Sequence, residues 1–405
     1  MRILFINNMP FNPILGGVVR VTDTLARTLI ARGGYYVYYL CGKVEPQDEY
    51  WLKYDFPAQQ YMLPELGFFK SEKNKEFYRN LLEKLKIDIV VNQRGLDSEF
   101  DKVLDIGDAK KISVLHTKPN AKIIHDISRI LLFSKEPKEQ LKKYIKILLY
   151  PLFYLRAIYK AKRYLKVTYR NLVQNSDAIV LLSDKDKKEF LSNGINIENK
   201  TLCGIPNPNT FPIENNVSIE NKENIILYVG RLDPYDKNVL ALIKIWERIY
   251  LTHPQWELVL VGDGIERKRI EEYIRKKGLK NVCLEGAKKN VTDYYKKASF
   301  VCLTSLYEGW GMALTEGMAH GCIPFTFNNY GAASDIIDDG VNGCLIPAYE
   351  LKEYASRLSE LIQDEKKRAE FARAAYQKVK RFDAENVISE WENLFDRLMG
   401  SKCVS

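Results

Sequence analysis

The chain is short of the residues from which metal sites, disulfide frameworks and membrane spans are built. Its seven cysteines (41, 203, 283, 302, 322, 344 and 403) include no C-x2-C pair, so disulfides and zinc are not expected, and the thiols read as buried and free in a reducing compartment. The four histidines are equally dispersed, and no metal or other cofactor is expected. The longest apolar stretch beyond the N-terminus, residues 147–155, is interrupted by Pro151 and is too short to span a bilayer. At the N-terminus the apolar run ILFI meets Asn7 and Asn8 at once, unlike a secretory signal. A cytoplasmic protein is therefore expected. The first strand is not followed by G-x-G-x-x-G, nor a second strand by the acid of dinucleotide sites, which argues against a nicotinamide cofactor.

What the chain has is length and alternation. At 405 residues, 46% hydrophobic and 28% charged, it exceeds what one core usually organises, and two domains are expected. Short apolar runs at 3–6, 35–40, 87–91, 112–115 and 178–182 read as buried strands, with amphipathic helical patterns between most of them. A second series starts at 225–229 and continues at 256–261, 282–284, 300–303 and 323–326. Such alternation predicts an α/β protein with two doubly wound parallel-sheet, Rossmann-like domains, and a ligand at the carboxyl ends of the strands in a cleft they face. Residues 206–224 have three prolines and many asparagines, a linker composition. The expected division is therefore 1–211, 212–384 and a terminal helix over 385–405 that can pack on either domain, the first being one option.

Charge is uneven. Residues 1–211 hold 34 Lys and Arg against 23 Asp and Glu, whereas 212–405 hold 27 against 29, so the whole basic excess lies in the first half. Residues 140–176 contain no acid at all, and lysines and arginines there, among them Lys142, Lys143, Lys160, Lys162 and Arg163, interleave with seven aromatic residues. A cationic amphipathic helix with boundary aromatics suits an anionic membrane surface. A solvated basic face over core aromatics is the alternative, and a nucleic-acid partner is not expected because no motif for one is present.

The residues able to carry chemistry cluster after the second-domain strands. In SLYEGWGMALTE, Glu308 precedes a Gly-Trp-Gly turn and Glu316 lies in the amphipathic run that follows. A helix starting near Gly311 would present bare amides to whatever Glu308 also faces, which suits a ligand with hydroxyl-rich and anionic parts. A plain helix start with a favourable acid nearby also explains the spacing. In YVGRLDPYDKN, Arg231 and Lys237 follow a strand directly and can meet one anion, arginine as a planar fork and lysine as a compact charge. Gly262 sits in the next strand-to-helix turn, where glycine is common for conformational reasons alone. Near the N-terminus, Gly16 and Gly17 would let backbone approach a ligand, and His116 ends the strand ISVLH, where a histidine is either structural or part of the site.

In this order, VGRL-x4-K, LVLVGDG, SLYEGWG-x4-E, GMAHGCIPF and DDGVNGCLIP, together with SDAIVLLSDKDKKEF and the IPNP of the linker, the chain resembles the retaining glycosyltransferases of GT-B architecture, family 4 (glycosyl transferases group 1). Pro208 stands where that family usually has glycine, and Asp335 where it commonly has glutamate. The resemblance implies transfer of a sugar from a nucleotide diphosphate, with UDP favoured over GDP, to an acceptor hydroxyl with retention and without a metal. Arg231 and Lys237 would hold the diphosphate, Glu308 the sugar hydroxyls and Glu316 the ribose. Gly309, Trp310 and Gly311 would offer backbone amides. Gly16 or Gly17 would approach the phosphates, and His116 the donor sugar. With the basic segment, the implied acceptor is a saccharide or a polyprenyl-linked saccharide for cell-surface polysaccharide, met at the inner face of the plasma membrane. A nucleotide-sugar 2-epimerase shares the architecture but lacks the E-x7-E signature, and a non-catalytic sugar-nucleotide sensor would keep the binding residues without turnover.

Overall fold

A computed structural model describes residues 1–45, 54–95, 103–132, 150–214, 217–219 and 221–400. Among them the first sheet holds seven strands: β1 (Arg2–Asn7), β2 (Tyr36–Cys41), β3 (Gln59–Met62), β4 (Ile89–Asn92), β5 (Lys110–Val114), β6 (Ala178–Leu181) and β7 (Thr201–Gly204). Their order is β3-β2-β1-β4-β5-β6-β7, and each described pair is parallel. The second sheet holds β8 (Glu223–Val229), β9 (Glu257–Val261), β10 (Val282–Gly286), β11 (Ala298–Cys302), β12 (Ile323–Phe327) and β13 (Cys344–Ile346), ordered β10-β9-β8-β11-β12-β13 and likewise parallel. Both are doubly wound, with the order reversing between β1 and β4 in one and between β8 and β11 in the other. At such a reversal the loops leave in opposite directions and open a ligand crevice at the strands' carboxyl ends.

Every interior strand was legible as an apolar run because helices cover both faces of a parallel sheet. Ile89, Val90 and Val91 are fully buried, as are Leu227 and Tyr228, and each such aliphatic side chain contributes roughly 1.5–3 kcal/mol. β3, β7 and β13 were not expected, and all three are edge strands. The first two, QQYM and TLCG, are mostly half-buried and carry polar residues, so no continuous apolar run marks them. The third has only three residues.

Two compact units emerge, Met1–Pro119 with Tyr164–Thr210 and Phe382–Ser405, and Asn120–Arg163 with Phe211–Arg381. In the first, Leu4, Ile6, Leu40, Val90, Tyr78, Leu81 and Leu82 form a core between the sheet and the helix Glu72–Leu85. That helix starts where Ser71 accepts the Asn74 N–H, satisfying one of the orphan donors of a helix start. The terminal helix Ala384–Met399 packs on the helix Gly17–Arg32 of the same unit. It buries Val387, Ile388, Trp391, Leu394 and Phe395, and Arg32 pairs with Glu385 at 2.8 Å and with Glu392. In the second unit the helix Val239–Ile249 buries eight residues, Trp246 among them, and packs on the helix Leu351–Gln363. No described helix is long and apolar enough to cross a membrane.

Candidate functional site

In the second unit, the loops that leave β8, β9 and β11 are stitched to one another by main-chain bonds. Leu232 N–H donates to Asp263 O at 2.9 Å, Glu266 N–H to Leu232 O at 3.0 Å, and Leu306 N–H to Asp236 O at 2.7 Å. Thr304 Oγ1 and Asn238 Nδ2 each donate to the other residue's carbonyl, and Asn329 Nδ2 donates to Ser305 O and Leu306 O. Gly262 belongs to this scaffold. Its φ is +147°, and a Cβ there would fall 1.8 Å from Gly230 O, so only glycine lets the two loops pass. Crowding between loops thus accounts for the residue by itself.

This scaffold brings together three of the charged residues singled out in the sequence. Lys237 Nζ lies 2.7 Å from Glu308 Oε1, and Ser305 Oγ donates to the same oxygen at 2.6 Å. Glu308 Oε2 accepts nothing from the described residues. Burial alone would depress the lysine, but the carboxylates of Glu308 and Asp236 outweigh it and hold its pKa above the ordinary value. Arg231, whose side chain is 63% exposed, pairs with Asp236 at 2.5 Å. Burial raises the Asp236 carboxyl despite Lys237 and Arg231 beside it. Each cation therefore has a carboxylate partner, and the two pairs adjoin through the neighbouring residues Asp236 and Lys237.

Gly309 and Trp310 are buried, and Gly311 takes φ +86°, where a Cβ would come within 2.9 Å of Tyr330 Oη. That left-handed glycine starts the helix Met312–Ala319, whose first turn has no side-chain cap. That first turn is the positive end of the helix dipole, close in sequence to Glu308. Glu316 is not part of the charged cluster. It is 2% exposed and accepts from Tyr295 Oη at 2.9 Å. Tyr295 stacks on His320, with ring centroids 5.7 Å apart, and Lys222 Nζ donates to Tyr295 O, Lys296 O and His320 O. Glu316 thus sits in a buried polar cluster.

Sequence reasoning passed over Ser305, Asp236 and Tyr295. Asp236 was visible as the acid beside Lys237, but Ser305 and Tyr295 gain their roles only through contacts made by the fold. Two more side chains of this unit reach the same loops from the helix Ala121–Leu132. His125 Nδ1 is 3.2 Å from Tyr307 Oη, and Ser128 Oγ donates to Tyr235 O at 3.2 Å.

The remaining candidates lie in the first unit or on the basic helix. Gly16, φ +148°, precedes the helix Gly17–Arg32, and nothing lies within 4 Å of where its Cβ would be. That helix starts at Gly17, and no side chain caps it. His116, half-buried just beyond β5, meets Gln93 through its Nε2, and burial pushes its pKa down to about 4. Lys160, Lys162 and Arg163 are exposed on the helix Tyr150–Asn175, beside exposed Leu155, Tyr159 and Val167. Lys142 and Lys143 lie outside the described residues. No group of three or more His, Cys, Asp or Glu able to hold a metal occurs among the described residues.

Residues 210–378 match the family model of glycosyl transferases group 1. Among curated proteins, the amylovoran biosynthesis glycosyltransferase AmsD of Erwinia amylovora is 29% identical over 58% of this chain and 66% of its own length. The GalNAc-alpha-(1->4)-GalNAc-alpha-(1->3)-diNAcBac-PP-undecaprenol alpha-1,4-N-acetyl-D-galactosaminyltransferase of Campylobacter jejuni is 30% identical over 43% of this chain and 48% of its own length. The chain thus spans about half to two thirds of these relatives. A solved structure of Staphylococcus aureus TarM, in complex with Fondaparinux, alpha-GlcNAc-glycerol and UDP, superposes with a TM-score of 0.74 over 98% of this chain and 99% of TarM, at 15% identity. At that identity the likeness speaks for the fold.

Proposed function

We propose that the chain, whose residues 210–378 match the family model of glycosyl transferases group 1 and which has the GT-B fold of two Rossmann-like domains, is a retaining glycosyltransferase of that family using a UDP-sugar donor. The observation that carries the reading is the Lys237–Glu308 contact of 2.7 Å beside the Arg231–Asp236 pair, at the β8/β11 reversal where a ligand crevice is expected.

In a transfer of this kind negative charge builds on the departing diphosphate while positive charge builds on the sugar ring. Fixed cations and amide dipoles aimed at the leaving group are then the largest source of rate. Lys237 and Arg231 supply the cations, and the helix that starts at Met312 supplies the positive end of its dipole. When the diphosphate arrives, the two cations turn from their carboxylates toward it. Glu308 is left with an oxygen for the hydroxyls of the sugar, and Glu316 meets the ribose. For His116 the proposed ligand is a sugar hydroxyl, and for Gly16 or Gly17 a phosphate. This reading assigns charge neutralisation to side chains and needs no bound metal ion.

The acceptor we propose is a lipid-linked saccharide of cell-surface polysaccharide assembly, reached by a peripheral contact with the inner membrane face. Support comes from the Campylobacter relative, whose name carries an undecaprenol-linked saccharide, and from the exposed Lys160, Lys162 and Arg163 beside exposed Leu155 and Tyr159. Each cation near an anionic surface is worth about 1 kcal/mol.

A panel of nucleotide sugars tests the donor reading. Slow nucleotide diphosphate release that a lipid-linked acceptor accelerates is expected, whereas interconversion of the sugar would indicate an epimerase and binding without turnover a sensor. Flotation with anionic liposomes tests the membrane contact. Neutralising Lys142, Lys143, Lys160, Lys162 and Arg163 should abolish salt-sensitive flotation, and unchanged flotation would remove the contact.

A further inference from the structure

Gln93 leaves the carboxyl end of β4, at the reversal of strand order in the first sheet, and its neighbours hold it firmly. Its N–H donates to Ile6 O of β1 at 3.0 Å, and Asn92 Oδ1 takes the Arg94 N–H at 2.8 Å. Gly95 N–H donates to Val114 O of β5 at 3.2 Å, and a Cβ at Gly95 would stand 2.6 Å from that oxygen. The turn is thereby fastened to both strands that flank β4. The Gln93 side chain is buried, with Oε1 2.5 Å from His116 Nε2. Its Nε2 is sealed from solvent and meets no acceptor among the described residues. An unmet buried donor costs stability that an apolar side chain of similar size would not forfeit, so packing alone does not account for a glutamine here.

A neutral imidazole carries a single N–H, and an amide oxygen can only accept. With Oε1 against Nε2, the proton must sit on Nε2, and Nδ1 carries the lone pair. Nδ1 makes no hydrogen bond among the described residues. We propose that Gln93 is a positioning residue for His116, fixing the Nε2–H tautomer so that Nδ1 accepts a hydrogen bond from a ligand hydroxyl. Partners of this kind commonly set the tautomer and orientation of a working histidine. Burial, which pushes the ring down to about 4, keeps it neutral. A lone-pair nitrogen rejects phosphate and carbonyl oxygens, which bring no proton, and selects a hydroxyl. The ligand's identity as a sugar rests on the donor reading of His116, whereas the tautomer does not.

The test is long-range proton–nitrogen correlation on full-length protein labelled in its histidines, with His116 assigned through His116→Asn. The wild type should show a protonated Nε2 and a bare Nδ1. Gln93→Leu should leave a mixture of tautomers, and Gln93→Glu should raise the titration of the ring toward neutrality. In transfer assays Gln93→Leu should lower kcat by about tenfold or more while UDP affinity stays unchanged, the size of effect seen for partners that orient a functional histidine. A proton on Nδ1 in the wild type, or a tautomer indifferent to Gln93→Leu, overturns the proposal. If the tautomer answers to Gln93 but transfer does not, the positioning stands and His116 leaves the sugar site.

Discussion

At the carboxyl edge of the second sheet, Lys237 meets Glu308 at 2.7 Å and Arg231 meets Asp236 at 2.5 Å. The same edge of the first sheet carries Asn7, Asn92, Gln93 and a neutral His116. Both edges end parallel strands at a reversal of order, so topology alone does not set their chemistry. The charged edge keeps its cations paired and displaceable, which suits a ligand whose anionic part can compete for them. The neutral edge offers donors and acceptors that favour hydroxyls without a charge to neutralise. Two superficially alike folds thus present edges of different chemical character.

The comparison breaks most sharply at Lys237. Lys237→Ala removes a cation from the leaving group and leaves Glu308 half-buried without its partner, so kcat/KM should fall by about 10²–10³-fold, the size found when one stabilising donor is removed. Steady-state kinetics on a protein with an unchanged circular dichroism spectrum checks it. Next in size is Gly262→Ala, which alters no charge. The Cβ would meet Gly230 O at 1.8 Å in a backbone of φ +147°, so a loss of roughly 1–3 kcal/mol is expected. A fall in Tm of several degrees, with weakened UDP binding, would separate scaffold from charge.

The neutral edge is sharpened by pH. His116 titrates at about 4 in the fold against 6.5 for the ordinary side chain. Between those values the unfolded chain binds a proton that the folded protein does not. The ring's contribution to stability is therefore complete above pH 6.5 and is lost as pH falls toward 4. Thermal melts should descend across that window, and less steeply in His116→Asn. An inflection of His116 near pH 6.5 in a proton–nitrogen titration would contradict a neutral edge.

How much of this was readable beforehand follows from what each signal depends on. Interior strands such as ILFI and IVLL announce themselves because both faces are covered, while the edge strand QQYM does not. Arg231, Lys237 and Glu308 were legible because cations and an acid followed strand-like runs directly. Their pairing was not, since Lys237 and Glu308 are 71 residues apart and only the β8–β11 adjacency joins them. Glu316 was legible as a second carboxylate eight residues on, but its hydrogen bond from Tyr295, which stacks on His320, comes only from the fold. Gln93 had no signal at all, because its meaning lies in a histidine just beyond the next strand.

Calorimetric titration of UDP into the wild type and into the Arg231→Met, Lys237→Met double variant tests the charged edge most directly. If that edge holds the diphosphate, the wild type binds UDP and the double variant binds at least about 100-fold more weakly, a loss of roughly 3 kcal/mol for two charge-assisted contacts. Equal affinity in the two folded proteins would contradict it.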